Sequence, residues 1–347
     1  MTVPMKCATF IFSIGITITV IQANTCGRSV GNPNCCAQNS QCMPLNQCAP
    51  YNKILQNECV LSPRVRELGC GSQGSGYVCC PVTNRIIRNT GSAPTCGSPL
   101  VQPGNTNEMG AHPWVARVVY KNGQNGDVKI PCAGSIINNR VILTSAHCAI
   151  TKNANYKLYG VRVGEWSTRS NLDCCQEFCA VPAQDITISH VIIHPGYQPQ
   201  TYRDNVALLV LNSRIAFSLT AQPICLPDTW VTPPNYGVLV GWGRLGGQVE
   251  TPPIQQAVEL PIVGLQQCCN VYGCATPVSE NQLCVAGRDT CEGFGGSPLI
   301  VVNSGRYYQI GFLSYGADRC AGGVPSVYTN VKRYVPWIND NCPVFRN

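Results

Sequence analysis

Charge is scarce in this chain: only 12% of its 347 residues are Asp, Glu, Lys or Arg. The net charge is +7, yet no four Lys or Arg residues stand together. A nucleic-acid footprint needs clustered cations, so that class of partner is excluded. A diffuse basic surface suits anionic partners instead, such as microbial wall polysaccharide or a sulfated glycan. Histidine is equally rare. His112, His147, His190 and His194 form no ligand-spaced cluster with cysteine, which argues against zinc and predicts no resident cofactor. Beyond the first residues there is no long apolar run, so no membrane span is expected.

Cysteine is what the chain has in excess, with 24. Its chemistry depends on the compartment, and the first residues address that. Met1 to Lys6 carries one positive charge, Cys7 to Ile21 is apolar, and Ile21-Gln22-Ala23 offers a small-residue cleavage site. Residues 1–23 therefore read as a secretory signal peptide, and the mature chain as an extracellular one, as in haemolymph-like fluid. In an oxidising compartment the cysteines are expected as disulfides. Removing Cys7 leaves an odd number, so at least one thiol stays free or pairs with another molecule.

Residues 24–81 hold Cys26, Cys35, Cys36, Cys42, Cys48, Cys59, Cys70, Cys79 and Cys80 with few large apolar residues between them. A segment this short cannot bury enough surface alone and needs covalent staples. The polar residues 82–100 read as an exposed linker. From about residue 101, short Val/Ile/Leu-rich runs alternate with Gly, Pro and Asn clusters. Examples are Val115–Tyr120, Ser135–Leu143, Ile186–Ile193, Val206–Leu211 and Gln309–Tyr315. That pattern predicts an all-β domain of antiparallel barrels over residues 101–342. Val331, Tyr334, Val335 and Ile338 recur at helical spacing, which predicts a C-terminal helix. Pro336 fits such a helix only near its start.

Several motifs carry a resemblance. Cys42-x5-Cys48, a gap to Cys70, then Cys79-Cys80-Pro81 resembles the arthropod clip domain. That resemblance implies three bridges, first to fifth, second to fourth and third to sixth, with Cys26, Cys35 or Cys36 as the first cysteine. Thr144-Ser145-Ala146-His147-Cys148, Asp204-Asn205-Val206-Ala207-Leu208, Gly241-Trp242-Gly243 and Pro325-Ser326-Val327-Tyr328-Thr329 together resemble the chymotrypsin/trypsin-like serine proteases. The implied fold is a chymotrypsin-like pair of six-stranded antiparallel β-barrels. His147 is implied as the general base and Asp204 as the carboxylate that orients it. Bridges are implied between Cys132 and Cys148, Cys96 and Cys225, and Cys291 and Cys320. Cys284 would pair with Cys268 or Cys269, and Cys179 with Cys174 or Cys175. Cys274 and Cys342 have no implied partner.

The motif around the nucleophile departs from the family. Cys291-Glu292-Gly293-Phe294-Gly295-Gly296-Ser297-Pro298-Leu299 resembles Gly-Asp-Ser-Gly-Gly-Pro-Leu, with Gly295 in place of the serine and Phe294 in place of the Asp. A glycine has no oxygen to attack a carbonyl. Losing the nucleophile in a comparable enzyme costs on the order of 10⁶-fold in turnover, about 8 kcal/mol of barrier. Gly293 and Gly295 still bring N–H groups, the remnant of an oxyanion site. In the family, activation also needs a new Ile or Val amine that pairs with the Asp before the serine. Here that amine would belong to Val101, behind Pro99-Leu100, which no trypsin-like activator should cut. Ser297 is expected to point elsewhere. The pattern is similar to the non-catalytic clip-domain serine protease homologues, including those like prophenoloxidase-activating factor and masquerade.

By that resemblance the chain is expected to be a secreted pseudoprotease. It would act as a cofactor or adaptor for cascade proteases and prophenoloxidase-like zymogens in arthropod melanisation or immunity. The competing readings are an endopeptidase with a rebuilt site and a binding module for microbial surfaces or matrix. Asp289 stands where trypsin-like enzymes keep the acid that selects Arg or Lys, and Ser326 is expected to narrow that pocket. Glu165, Asp173 and Glu177 flank a loop where some relatives bind calcium; ordinary solvated acids are the expectation. Regulatory cleavage is expected at Arg64-Val65, or else at Arg85-Ile86, because both segments offer an extended, basic target.

Overall fold

The computed structural model describes residues 40–44, 77–81, 96–99, 107–150, 153–171, 173–175, 178–227, 234–245, 248–273, 279–286, 293–316 and 323–343. For 40–44, 77–81, 174–175 and 178–179 the backbone alone is described. The leader, Cys48, Cys70, Arg64-Val65, Arg85-Ile86, Val101, Glu177, Asp289, Cys291 and Cys320 lie outside these residues.

In the N-terminal region, β1 (Ser40–Pro44) pairs antiparallel with β2 (Tyr77–Pro81), which sets Cys42 opposite Cys79. The larger domain begins with β3 (Val115–Asn122), β4 (Val128–Asn138), β5 (Val141–Thr144), the short helix α1 (Ala146–Ala149) and β6 (Tyr156–Val163). Then come the two-residue strands β7 (Cys174–Cys175) and β8 (Phe178–Cys179), β9 (Gln184–Ile193) and β10 (Ala207–Leu211). Strands β11 (Tyr236–Gly241), β12 (Gln256–Val263), helix α2 (Leu265–Tyr272), β13 (Gln282–Val285), β14 (Pro298–Asn303), β15 (Arg306–Tyr315), β16 (Ser326–Asn330) and helix α3 (Val331–Asn341) complete it. The strands close into two antiparallel six-stranded barrels, β10-β5-β4-β3-β6-β9 and β11-β12-β13-β16-β15-β14. Closure leaves no unpaired strand edge in either barrel. The fold is the expected chymotrypsin-like one.

Two expectations need correction. The run Ser135–Leu143 is two strands, because the chain turns at Asn139-Arg140 between β4 and β5. Asn138 Oδ1 accepts the Arg140 N–H at 2.8 Å, and the Arg140 guanidinium reaches the Leu211 and Asn212 carbonyls. Helix α3 starts five residues before Pro336, so the proline is internal. Pro336 is exposed, so its ring lies on the outer side of the helix, away from the core.

Strand β10 shows how sequence positions the site. All five of its residues are buried, so the run is continuously apolar rather than alternating. Ala207, Leu209 and Leu211 fill the first barrel with Val118, Ile142 and Val161. Leu208, with Val206 just before the strand, packs outward against Phe312 and the Val331, Tyr334 and Ile338 face of α3. A second cluster (Trp114, Val115, Ala133, Val240, Trp242 and Ile300) draws on both barrels. The end of β10 and the loop before it are therefore held between two cores.

The disulfides follow. Cys96 bonds Cys225 and Cys132 bonds Cys148, while Cys284 takes Cys268 rather than Cys269. Strands β7 and β8 place Cys174 opposite Cys179. Cys342 carries a free thiol, half-buried, whose sulfur accepts a hydrogen bond from Asn138 Nδ2 at 3.1 Å. Burial pushes that thiol's pKa up.

Two phenols predict a response to alkali. Burial pushes Tyr120 up, and burial together with the Asp204 carboxylate pushes Tyr334 up. In the unfolded chain both ionise near pH 10. A folded pKa above the unfolded one means the stabilising contribution is complete below about pH 10 and is lost as pH rises beyond it. Urea midpoints are therefore expected to fall steeply above pH 10, and less steeply in Tyr334→Phe. Midpoints flat to pH 11.5 would contradict this.

Candidate active site

The cleft between the barrels is assembled from four chain segments. Strand β5 ends at Thr144, whose hydroxyl donates to the Ala133 carbonyl at 2.7 Å. The chain then turns through Ser145 into α1, and the Cys132–Cys148 bridge holds that helix to β4. This places the His147 ring at the cleft. Tyr202 stacks edge-on to it at 5.6 Å, and Tyr202, Tyr315 and Tyr272 continue as a row of touching rings.

The residue that meets the imidazole is Asn205, not Asp204. Asp204 takes a left-handed conformation (φ 48°), and its carboxylate accepts from the Tyr334 hydroxyl at 2.8 Å on α3. Adjacent side chains diverge, so Asn205 faces the other way, 1% exposed, into the gap between His147 and β15. The expected role of Asp204 is corrected accordingly: it fastens the loop to the C-terminal helix. The sequence did hold the signal. Asn205 is the residue immediately before the apolar run, whereas Asp204 is the nearest acid.

Asn205 makes a fully defined set of hydrogen bonds. Its Oδ1 accepts the His147 backbone N–H at 2.9 Å, and an N–H can only donate. That fixes the amide orientation. Nδ2 then has two acceptors for its two hydrogens, His147 Nδ1 at 3.0 Å and Ser314 Oγ at 2.7 Å. Because Nδ1 accepts, the proton of the neutral ring sits on Nε2. The far side agrees. Nε2 lies 3.3 Å from Cys148 Sγ, and a disulfide sulfur has no hydrogen to give. The imidazole thus shows the cleft a donor, the reverse of what a general base shows.

Opposite the ring stands Gly295. A Cβ there would lie 3.2 Å from His147 Nε2. The loop is pinned on both sides: Ala133 N–H donates to the Gly295 carbonyl at 2.8 Å, and Gly296 N–H donates to the Leu313 carbonyl at 2.9 Å. Gly296 has φ 76°, with the Ala133 carbonyl against its α-carbon, so only glycine fits. Ser297 is fully buried, packed against Gly241, and faces the barrel interior rather than the cleft. Phe294 is also fully buried in the second barrel's core with Leu239, Leu299 and Leu313. Its ring occupies the space beside Gly243, where a Cβ would overlap it.

The profile of the trypsin family matches residues 101–338. This chain belongs to the trypsin family. CLIP domain-containing serine protease B4 of Anopheles gambiae is 34% identical to it over 344 residues, 94% of each chain. Phenoloxidase-activating factor 1 of Holotrichia diomphalia is 33% identical, over 88% of this chain and 91% of that one. Phenoloxidase-activating factor 3 of the same species is 29% identical, over 95% of this chain and 98% of that one.

Of the remaining expected site residues, Ser326 lies on β16 with its hydroxyl against Gly316, where a Cβ would come within 2.7 Å. Asp289, expected at the base of the same trypsin-family pocket, lies outside the described residues. Glu165 and Asp173 are buried, not solvated as expected. Glu165 pairs with Arg117 at 3.5 Å and Arg162 at 3.3 Å. Burial pushes its carboxyl up, and the two guanidiniums oppose that. Asp173 accepts from Trp166 N–H, Ser167 N–H and Ser170 Oγ at 2.6–2.9 Å. Beside His147, a cavity of about 280 Å³ opens between Tyr120, Lys129, Pro131, Ile150 and Tyr156.

Proposed function

We propose that this chain is a secreted, catalytically inactive serine protease homologue that serves as a cofactor or adaptor in an extracellular proteolytic cascade. The names of its relatives favour the insect cascade that activates phenoloxidase. The observation that carries the proposal is the pair of residues flanking His147. Gly295 stands in the nucleophile's place and supplies no attacking oxygen. Asn205 stands in the orienting acid's place and gives His147 the tautomer that cannot take a proton at Nε2. Either change alone would cripple acyl transfer. Phe294, in the place of the acid that receives the activating amine, supports the same reading, because a buried phenyl ring cannot accept an ammonium charge.

Function then rests on binding. The relatives suggest cascade proteases and prophenoloxidase-like zymogens as partners. The purified protein, with or without trypsin treatment, is expected neither to hydrolyse arginyl ester substrates nor to react with fluorophosphonates. Labelling at Ser297, or sustained ester turnover, would overturn the proposal.

Activation is expected to act on the N-terminal region rather than at Val101. Edman sequencing after digestion by a cascade protease is expected to read a new start at Val65, or else at Ile86. A start at Val101 would contradict this.

A further inference from the structure

We propose that the outer face of the first barrel docks an extended acidic segment of a partner protein, with an apolar side chain of that segment seated in a cavity of about 550 Å³. This goes beyond the adaptor reading by naming the chemistry of a partner. The cavity shares no lining residue with the one beside His147, so its ligand does not depend on what the cleft can turn over. Its floor includes Val119, Val161 and Ile186, all buried, and its rim includes Val128 and Tyr159, which are 49% and 45% exposed. Two large apolar side chains half open to water above an apolar floor make a seat for a third.

Charge decides what is brought there. Strands β3 and β6 set two pairs of like charges directly opposite each other, Arg117 against Arg162 and Lys121 against Lys157. Like charges so placed destabilise a sheet. The arginine pair is offset from within: Glu165 lies 3.5 Å from Arg117 and 3.3 Å from Arg162, and Asp185 lies 2.7 Å from Arg162. The lysine pair has no carboxylate partner among the described residues. The Lys121 ammonium sits over the Tyr159 ring at 4.9 Å, at the cavity rim, and Lys157 is exposed. Asp127, in the turn between β3 and β4, accepts from the Tyr156 hydroxyl. An acidic segment therefore supplies the lysines with what the arginines already have. A sulfated glycan would meet the lysines too, but it has no apolar side chain for the cavity. No two of the chain's 17 acids stand within two positions of each other, so neither its own N-terminal region nor a second copy offers an acidic run. The barrel is closed, so the segment adds no strand, and recognition falls to side chains.

The test uses the full-length protein with acetyl-Glu-Glu-Phe-Glu-Glu-amide, acetyl-Gln-Gln-Phe-Gln-Gln-amide and acetyl-Glu-Glu-Ala-Glu-Glu-amide. Calorimetry is expected to show the first binding at least about tenfold tighter than either of the others, and weakening as salt rises from about 50 to about 300 mM. Lys121→Gln/Lys157→Gln is expected to lower affinity for the first peptide at least about tenfold and to remove most of its salt dependence. Equal affinity for the Glu and Gln peptides, equal affinity for the Phe and Ala peptides, no binding of any, or a double variant that binds like the wild type would overturn the proposal. So would heparin binding that needs the two lysines and exceeds that of the first peptide, since the face would then read a polyanion rather than a protein segment.

Discussion

Restoring serine at position 295 alone is expected to leave the protein without useful peptidase activity. The new hydroxyl would reach His147, since even a Cβ there comes within 3.2 Å of Nε2. It would find a proton rather than a lone pair, because Asn205 donates to Nδ1. In a trypsin-type enzyme the exchange of the orienting Asp for Asn costs about 10⁴ in turnover through this wrong tautomer. The double variant Asn205→Asp/Gly295→Ser is therefore expected to exceed the single variant by up to about 10⁴-fold. It should still fall short of an active relative, because Phe294 leaves the activating amine without a partner. Arginyl thioester kinetics on the two variants check both statements. Activity in Gly295→Ser within tenfold of an active relative would show that neither Asn205 nor Phe294 limits the site.

The second large effect is on stability. Phe294→Ala is expected to cost about 3–5 kcal/mol, as truncating a fully buried phenylalanine does when the surroundings relax only partly. The ring is wholly excluded from solvent among Leu239, Leu299 and Leu313 and lies against the Gly243 α-carbon. Phe294→Asp, which would restore the family residue, is expected to be worse. It leaves the same void and puts a carboxylate in it with no counter-charge among the described neighbours. Urea unfolding followed by tryptophan fluorescence measures both. A loss under about 1 kcal/mol for Phe294→Ala would show that the ring lies outside the core.

The three substitutions around the cleft differ in how they can be read. Gly295 and Phe294 are visible because a short motif with several matching neighbours surrounds them. Asn205 was harder, since its neighbour Asp204 has the right chemistry one residue away. What separates them is backbone direction. The left-handed turn at Asp204 sends its carboxylate to Tyr334, 130 positions later in the chain, and sends the Asn205 amide to the imidazole. The buried state of Glu165 and Asp173 was hidden for a similar reason. Their partners, Arg117 and the turn at Trp166–Ser170, reach them only once β3, β6 and the loop after β6 are packed together.

The sequence by itself determined the all-β class, the C-terminal helix and the missing hydroxyl at position 295, while the Cys96–Cys225 and Cys132–Cys148 pairings were implied only by its family resemblance. These depend on local periodicity, on motif spacing or on what an atom-poor side chain cannot do. Only the tertiary structure decided which cysteine pairs with Cys284, that Ser297 faces the barrel interior, that Phe294 belongs to a core, and that Asn205 sets the tautomer of His147. Each of those depends on where a side chain points. Direction follows from backbone torsion and from packing against residues distant in the chain, neither of which a one-dimensional pattern carries.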